Sequence, residues 1–176
     1  MYEGKQFESD IRKSVPDYIL IQRLHDTSQS YQKSKDTKFT PKNPCDYLLY
    51  DSIFHNLYAL ELKTTKYKSI AFEDIDSDKE QNKMIHKHQI IALTRFSEFD
   101  GVIAGFVCNF RDEKNNMERT YFQNIIDFNN MRKKINKFSF NEMDLILNGA
   151  IKIDGEKKRV HYTWNLDKFF SEYGGV

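Results

Sequence analysis

Residues 57–63 read Leu-Tyr-Ala-Leu-Glu-Leu-Lys, a strand-length apolar run interrupted by one carboxylate and closed by one ammonium. Side chains alternate faces along a strand. Glu61 and Lys63 therefore share one face, and Tyr58, Leu60 and Leu62 turn to apolar packing on the other. Residues 45–51, Cys-Asp-Tyr-Leu-Leu-Tyr-Asp, form a second run separated from the first by a short turn over 52–56. Two such runs across a turn make an antiparallel hairpin. That pairing brings Asp46 beside Glu61. Two carboxylates that close repel unless a cation sits between them. A hard divalent ion with oxygen ligands is the natural solution, and Mg²⁺ suits it. Such an ion polarises a phosphodiester and promotes hydroxide formation. Lys63 could then orient or deprotonate the water, or neutralise charge in the transition state. The plainer alternative is a solvated strand edge carrying a cross-strand salt bridge.

The rest of the chain supplies the frame. Phe7, Ile11 and Val15 repeat at helical spacing over 4–14, and Pro16 stops that helix. Residues 18–24 read as a strand and 101–110 as a buried, central one. A helix over 84–99 carries the stripe Ile85, Ala92, Leu93, Phe96 and Phe99. A short strand is expected over 119–123, helices over 125–135, 141–147 and 166–173, and a pairing of 152–153 with 160–164. This order gives a mixed sheet with helices packed on it. Two polar residues fall within the apolar stripes: Glu8 on the first helix and Gln89 on the helix from Met84. A polar group in a buried face needs a partner. If both helices pack on one sheet, both side chains reach the rim holding Asp46, Glu61 and Lys63. Each could instead satisfy a backbone group.

Composition narrows the function. With 176 residues the chain has room for one domain with a core. It has 27 Lys and Arg against 26 Asp and Glu, so any nucleic-acid surface must come from local clustering. Residues 31–43 hold Lys33, Lys35, Lys38 and Lys42, on a polar segment, 25–43, that reads as a long loop or protrusion. Arg132–Lys134 and Lys157–Arg159 are weaker basic clusters. Two cysteines give no disulfide framework and suit a reducing cytosol. Cys45 lacks an evident base and reads as a small buried residue. No apolar run is long enough to span a membrane, and the start of the chain lacks a signal-peptide core. His86 and His88 lie two apart, so on a helix they do not share a face as a zinc pair would. His86 is expected at the surface, and His88 at a helix edge within reach of phosphate.

The ordered elements Gly4-Lys5-Gln6-Phe7-Glu8, Asp46-Tyr47, Glu61-Leu62-Lys63-Thr64-Thr65, Ser69-Ile70-Ala71-Phe72 and His86-Lys87-His88-Gln89-Ile90, followed by the strand after Asp100-Gly101, resemble the PD-(D/E)xK nuclease superfamily. Within it the chain is similar to the RecU-type Holliday junction resolvases, over roughly residues 4–123. The resemblance implies an α/β restriction-endonuclease-like core, with a central mixed sheet flanked by helices and a basic stalk, here 25–43. It implies one nuclease domain over 1–176, with an extension from about 125 that has no counterpart. It implies Mg²⁺ or Mn²⁺ held by Asp46, Glu61 and Glu8, and catalysis by these with Lys63 and Gln89. DNA contacts are expected from Lys33, Lys35, Lys38, Lys42, Thr64, Thr65 and His88. A cytoplasmic homodimer making paired cuts in four-way DNA junctions, in recombination and repair, is the function so implied. Two departures stand out: the stalk is shorter than the family's, and an acidic insertion occupies 73–83. A restriction-type nuclease on linear duplex and a non-catalytic junction-binding module are the alternatives.

Overall fold

The computed structural model of the chain describes residues 3–24, 43–77, 79 and 81–174. Its centre is a six-stranded mixed sheet. The strands are β1 (Ile19–Arg23), β2 (Tyr47–Asp51), β3 (Leu57–Thr65), β5 (Val102–Asp112), β6 (Met117–Asn124) and β8 (Ile151–Ile153), hydrogen-bonded in that order. β3 and β5 run parallel, and the other neighbours are antiparallel. A short β4 (Ser69–Ala71) pairs with β7 (Ser139–Asn141), and β9 (Gly155–Lys158) pairs with β10 (His161–Trp164).

Each face of the sheet is covered. Ala59, Ala104, Phe106, Cys108, Phe110 and Tyr121 face one apolar layer. That layer is closed by α2 (Lys87–Phe96), α3 (Ile125–Lys134) and α4 (Glu142–Leu147). Tyr58, Leu60, Leu62, Val107 and Phe122 face the other. There α1 (Glu3–Lys13), the β9–β10 hairpin and α5 (Leu166–Gly174) lie against them. Phe106, Phe122, Phe128 and Phe170 are fully buried, and each such side chain removed from water contributes about 1.5–3 kcal/mol. The mixed sheet flanked by helices is the expected architecture, and β5 is an interior strand as expected.

Four local expectations are corrected. Residues 152–153 pair with β6, not with 160–164, which form their own hairpin with 155–158. The helix expected from Met84 begins at Lys87, because Ile85 is extended and bridges Phe72. Phe99 lies beyond that helix and is exposed. On α1 the buried stripe is Phe7, Asp10 and Ile11, with Glu8 at its edge.

β5 and β6 approach so closely at Gly105 that a side chain there has no room. An added Cβ would lie 2.7 Å from Phe122 Cε2 and closer still to the Gln123 carbonyl oxygen. Gly105→Ala should lower stability by about 1–3 kcal/mol, read as a fall in the urea midpoint at unchanged slope. An unaltered midpoint would contradict the packing described.

Candidate active site

The parallel pairing of β3 with β5 sets the site. It places Glu61 beside Phe106 and Lys63 beside Cys108, on the face covered by α2. Glu61 is only 4% exposed. Its Oε1 lies 2.9 Å from Lys63 Nζ and accepts a 2.5 Å hydrogen bond from Gln89 Nε2. Both contacts use the same oxygen. The Gln89 amide is held at its other end, where Oε1 accepts the His86 backbone N–H at 2.9 Å. Gln89 thus ties the start of α2 to the carboxylate.

Asp46 sits one residue before β2 and is fastened by the strands beside it. Its N–H donates to the Leu60 carbonyl at 3.1 Å, and its own carbonyl accepts from Leu24 N at 2.8 Å. Its Oδ2 accepts from Leu62 N at 2.8 Å. Asp46, Glu61, Lys63 and Gln89 line a cleft of about 560 Å³ together with Arg23, Cys45, His86 and His88. Leu24 and Asn43 also line it, so both flanks of segment 25–42 meet at the cleft.

The electrostatics follow from burial. Desolvation raises the Glu61 carboxyl to about 7; Lys63 opposes the shift, and the charges of Asp46 and Glu8 add to it. Burial, with help from Glu61 and Asp46, raises the Cys45 thiol to about 12. Cys45 is therefore a neutral, buried thiol, which agrees with its reading as a packing residue. Among the described residues no group of three or more His, Cys, Asp or Glu side chains is gathered to hold a metal. Two carboxylates nonetheless suit Mg²⁺, which is often bound through one or two of them with water and substrate phosphate completing its shell. Asp46 and Glu61 fit that requirement, and a cation beside them would relieve the repulsion between them.

The expected residues do not all converge. Asp46, Glu61, Lys63, Gln89 and His88 come together in the cleft. Glu8 stands one step away: its Oε2 is 2.6 Å from Arg23 Nη2, and Arg23 lines the cleft. The carboxylate buried on α1 is instead Asp10, which accepts from Gln6 Nε2 at 2.7 Å and Tyr162 N at 3.0 Å and lies 2.9 Å from His161 Nδ1. Thr64 faces the opposite side of the sheet and donates to Asn109 Oδ1 at 2.6 Å. Thr65 is buried, and its hydroxyl accepts from Tyr67 N at 3.0 Å, shaping the turn after β3. Lys33, Lys35, Lys38 and Lys42 lie outside the described residues.

His86 is a member of the cleft that helical spacing missed. It caps α2 in an extended conformation, so the spacing of an intact helix does not apply to it. Its ring stacks on His88 with centroids 5.5 Å apart. Glu73, from the acidic insertion, lies 2.9 Å from His86 Nδ1 and accepts the Lys87 N–H at 2.7 Å. The insertion thus supplies the carboxylate at the α2 N-terminus. Glu73 lies 14 residues before Lys87 in the sequence, so no local capping signal marks it.

Glu61 makes stability depend on pH. Below its ordinary value of 4.5 it is neutral both folded and unfolded, so it contributes no pH-dependent penalty. As pH rises through 4.5 towards 7, the unfolded chain releases the proton first and the fold loses roughly 3 kcal/mol. Urea titrations of the wild type and Glu61→Gln from pH 4.5 to 8 should show a stability difference that shifts in favour of the variant as pH rises. Parallel pH profiles would show that Glu61 is not so perturbed.

No protein-family model matches the chain. The chain is 29% identical over 183 residues to the SPbeta prophage-derived uncharacterized protein YotM of Bacillus subtilis (strain 168), covering 97% of this chain and 86% of that protein. Among solved structures it is similar to Archaeoglobus fulgidus Hjc, a Holliday junction resolvase from an archaeal hyperthermophile. That match has a TM-score of 0.49 and 15% identity, and covers 85% of this chain and 95% of Hjc.

Proposed function

We propose that the chain is a divalent-metal-dependent DNA endonuclease acting on branched DNA, with four-way junctions as its substrate. The observation that carries this reading is the cleft in which Asp46 and Glu61 face Lys63 and Gln89. An ionisable cluster shielded from water, with a carboxylate shifted to about 7, is the kind of constellation found where chemistry is done. A solvated salt bridge at a strand edge would not be buried, nor would it recruit a glutamine from a helix across the sheet face.

In this reading Asp46 and Glu61 hold Mg²⁺ or Mn²⁺, with Glu8 acting through water. A bound ion would supply a Lewis acid for the phosphodiester and make water more acidic. Lys63 orients the attacking water or stabilises the charge that develops on phosphate. Gln89 fixes the rotamer of Glu61, so that the carboxylate is aimed before substrate arrives. His88 contacts phosphate at the mouth of the cleft. The stalk expected over 25–43, carrying Lys33, Lys35, Lys38 and Lys42, would enter the junction; Leu24 and Asn43, which bound its undescribed part, line the cleft. Paired cuts call for two copies of the site, hence a homodimer. The prophage origin of the YotM relative fits a phage-encoded resolvase.

A cleavage panel tests the reading. Purified protein should cut junction DNA in Mg²⁺ or Mn²⁺ and not in EDTA, and linear duplex far less. Asp46→Asn and Glu61→Gln should abolish cutting while binding persists, and Gln89→Ala should lower the rate by about 10- to 100-fold. Mg²⁺ should raise the thermal midpoint of the wild type and not of Asp46→Asn. Cutting that survives in both carboxylate variants would refute the site. Equal cutting of linear duplex at one sequence would move the substrate to the restriction type.

A further inference from the structure

A second concavity opens on the same sheet face, further along the strands. Thr65, Phe110 and Arg119 are lateral partners across β3, β5 and β6, two residues beyond the row formed by Lys63, Cys108 and Tyr121. At about 3.3 Å per residue the two rows are roughly 7 Å apart. Past this second row lies a groove of about 830 Å³, bounded by the turn after β3, the β5–β6 turn and α4. Lys66, Tyr67 and Lys68 line it, with Lys114 at the hairpin and the exposed apolar side chains of Met143 and Ile146 on α4.

The charge in this groove is positive once internal pairs are set aside. Glu142 is taken by Arg119 Nε at 2.6 Å and by the Tyr121 hydroxyl at 2.5 Å. Asp112 keeps its charge, with its oxygens occupied by the Asn115 N–H and side-chain amide within the hairpin turn, so it offsets only part of the lysine charge. Glu113 lies 3.8 Å from Arg111. Lys66, Lys68 and Lys114 make no ion pair with a described residue. Tyr67 stands between two of these lysines and is 70% exposed. Its backbone N–H is anchored to Thr65 Oγ1, so the turn is fixed although the ring is not packed.

Lysines spaced around an exposed aromatic ring, with exposed apolar side chains in the same groove, are what a single strand of nucleic acid requires: cations for phosphates and a flat face for a base. A base-paired duplex hides its base faces and could not use Tyr67. We propose that the groove binds an unpaired, single-stranded DNA arm, with a base stacked on Tyr67 and phosphates against Lys66, Lys68 and Lys114. The choice of DNA rests on the nuclease reading of the cleft. Because the groove begins two residues beyond Lys63, it engages the strand within a few nucleotides of the cut. It thereby extends the range of the cleft from four-way junctions to branched DNA with an unpaired segment next to the branch point.

The test uses the full chain in EDTA, with fluorescence anisotropy on a labelled oligothymidylate and on a blunt duplex, so that no step depends on metal or cutting. Tyr67→Ala should weaken oligothymidylate binding roughly 5- to 100-fold and leave duplex binding nearly unchanged, whereas Tyr67→Phe should bind as the wild type does. Lys66→Gln with Lys68→Gln should reduce the salt slope for the single strand by about 1.4. The same pair of changes at Lys157 and Lys158, outside the groove, should leave it unaltered. Single-strand affinity and slope unchanged in the groove variants would overturn the proposal, as would a uniform loss on duplex and single strand. Tighter binding of oligouridylate than of oligothymidylate would overturn the assignment to DNA. Groove variants behaving as expected in a protein that cuts no DNA would refute the nuclease reading and leave the groove standing.

Discussion

The amide of Gln89 holds the proposed active site in one arrangement. Its oxygen accepts the N–H that opens α2, and its nitrogen donates to Glu61. Turning the amide over would set donor against donor at one end and acceptor against carboxylate at the other. The side chain therefore has one orientation, and it carries that orientation to Glu61. Lys63 then completes the same carboxylate oxygen. A buried polar cluster of this kind is stable only when its members satisfy one another. The position of α2 on the sheet and the aim of the carboxylate are in this way a single constraint.

That constraint also explains why the cleft is charged and yet enclosed. Glu61 has traded water for one lysine and one amide, an incomplete exchange that leaves the carboxyl near neutrality in its proton affinity. A cation brought to Asp46 and Glu61 would supply what the protein withholds. The stacked imidazoles of His86 and His88 border the same space, with Glu73 behind His86. The acidic stretch 73–83 is thus used beside the site's own wall.

Much of this was legible in the sequence, for physical reasons. Alternation along residues 57–65 separates Glu61 and Lys63 from Leu60 and Leu62, and the packed layers follow that division. The same rule, carried two residues further, puts Thr64 on the far face, away from the cleft. Gln89 stood out as a polar residue in an apolar helix stripe, and it is buried. Glu8 stood out by the same rule and does not occupy the stripe's centre. Val15 extends the repeat in the sequence, but α1 ends at Lys13. Without Val15 the buried face turns towards Asp10. The partners that make Asp10 tolerable, His161 and Tyr162, lie about 150 residues along the chain, where no local periodicity points to them. The β9–β10 pairing was missed because residues 155–158 are exposed and polar and show no alternation.

Asp10 links the first helix to the last hairpin, and Phe169 and Phe170 of α5 pack on Tyr58 of the central strand. The layer behind the cleft is thus closed by segments drawn from both halves of the chain. Contacts of such long sequence separation must overcome loop-closure entropy before they stabilise anything. The fold should therefore assemble late and slowly, with one of the two covers of β3 incomplete until α5 has docked. During synthesis the carboxylate pair of Asp46 and Glu61 would be made well before the layer behind it is complete.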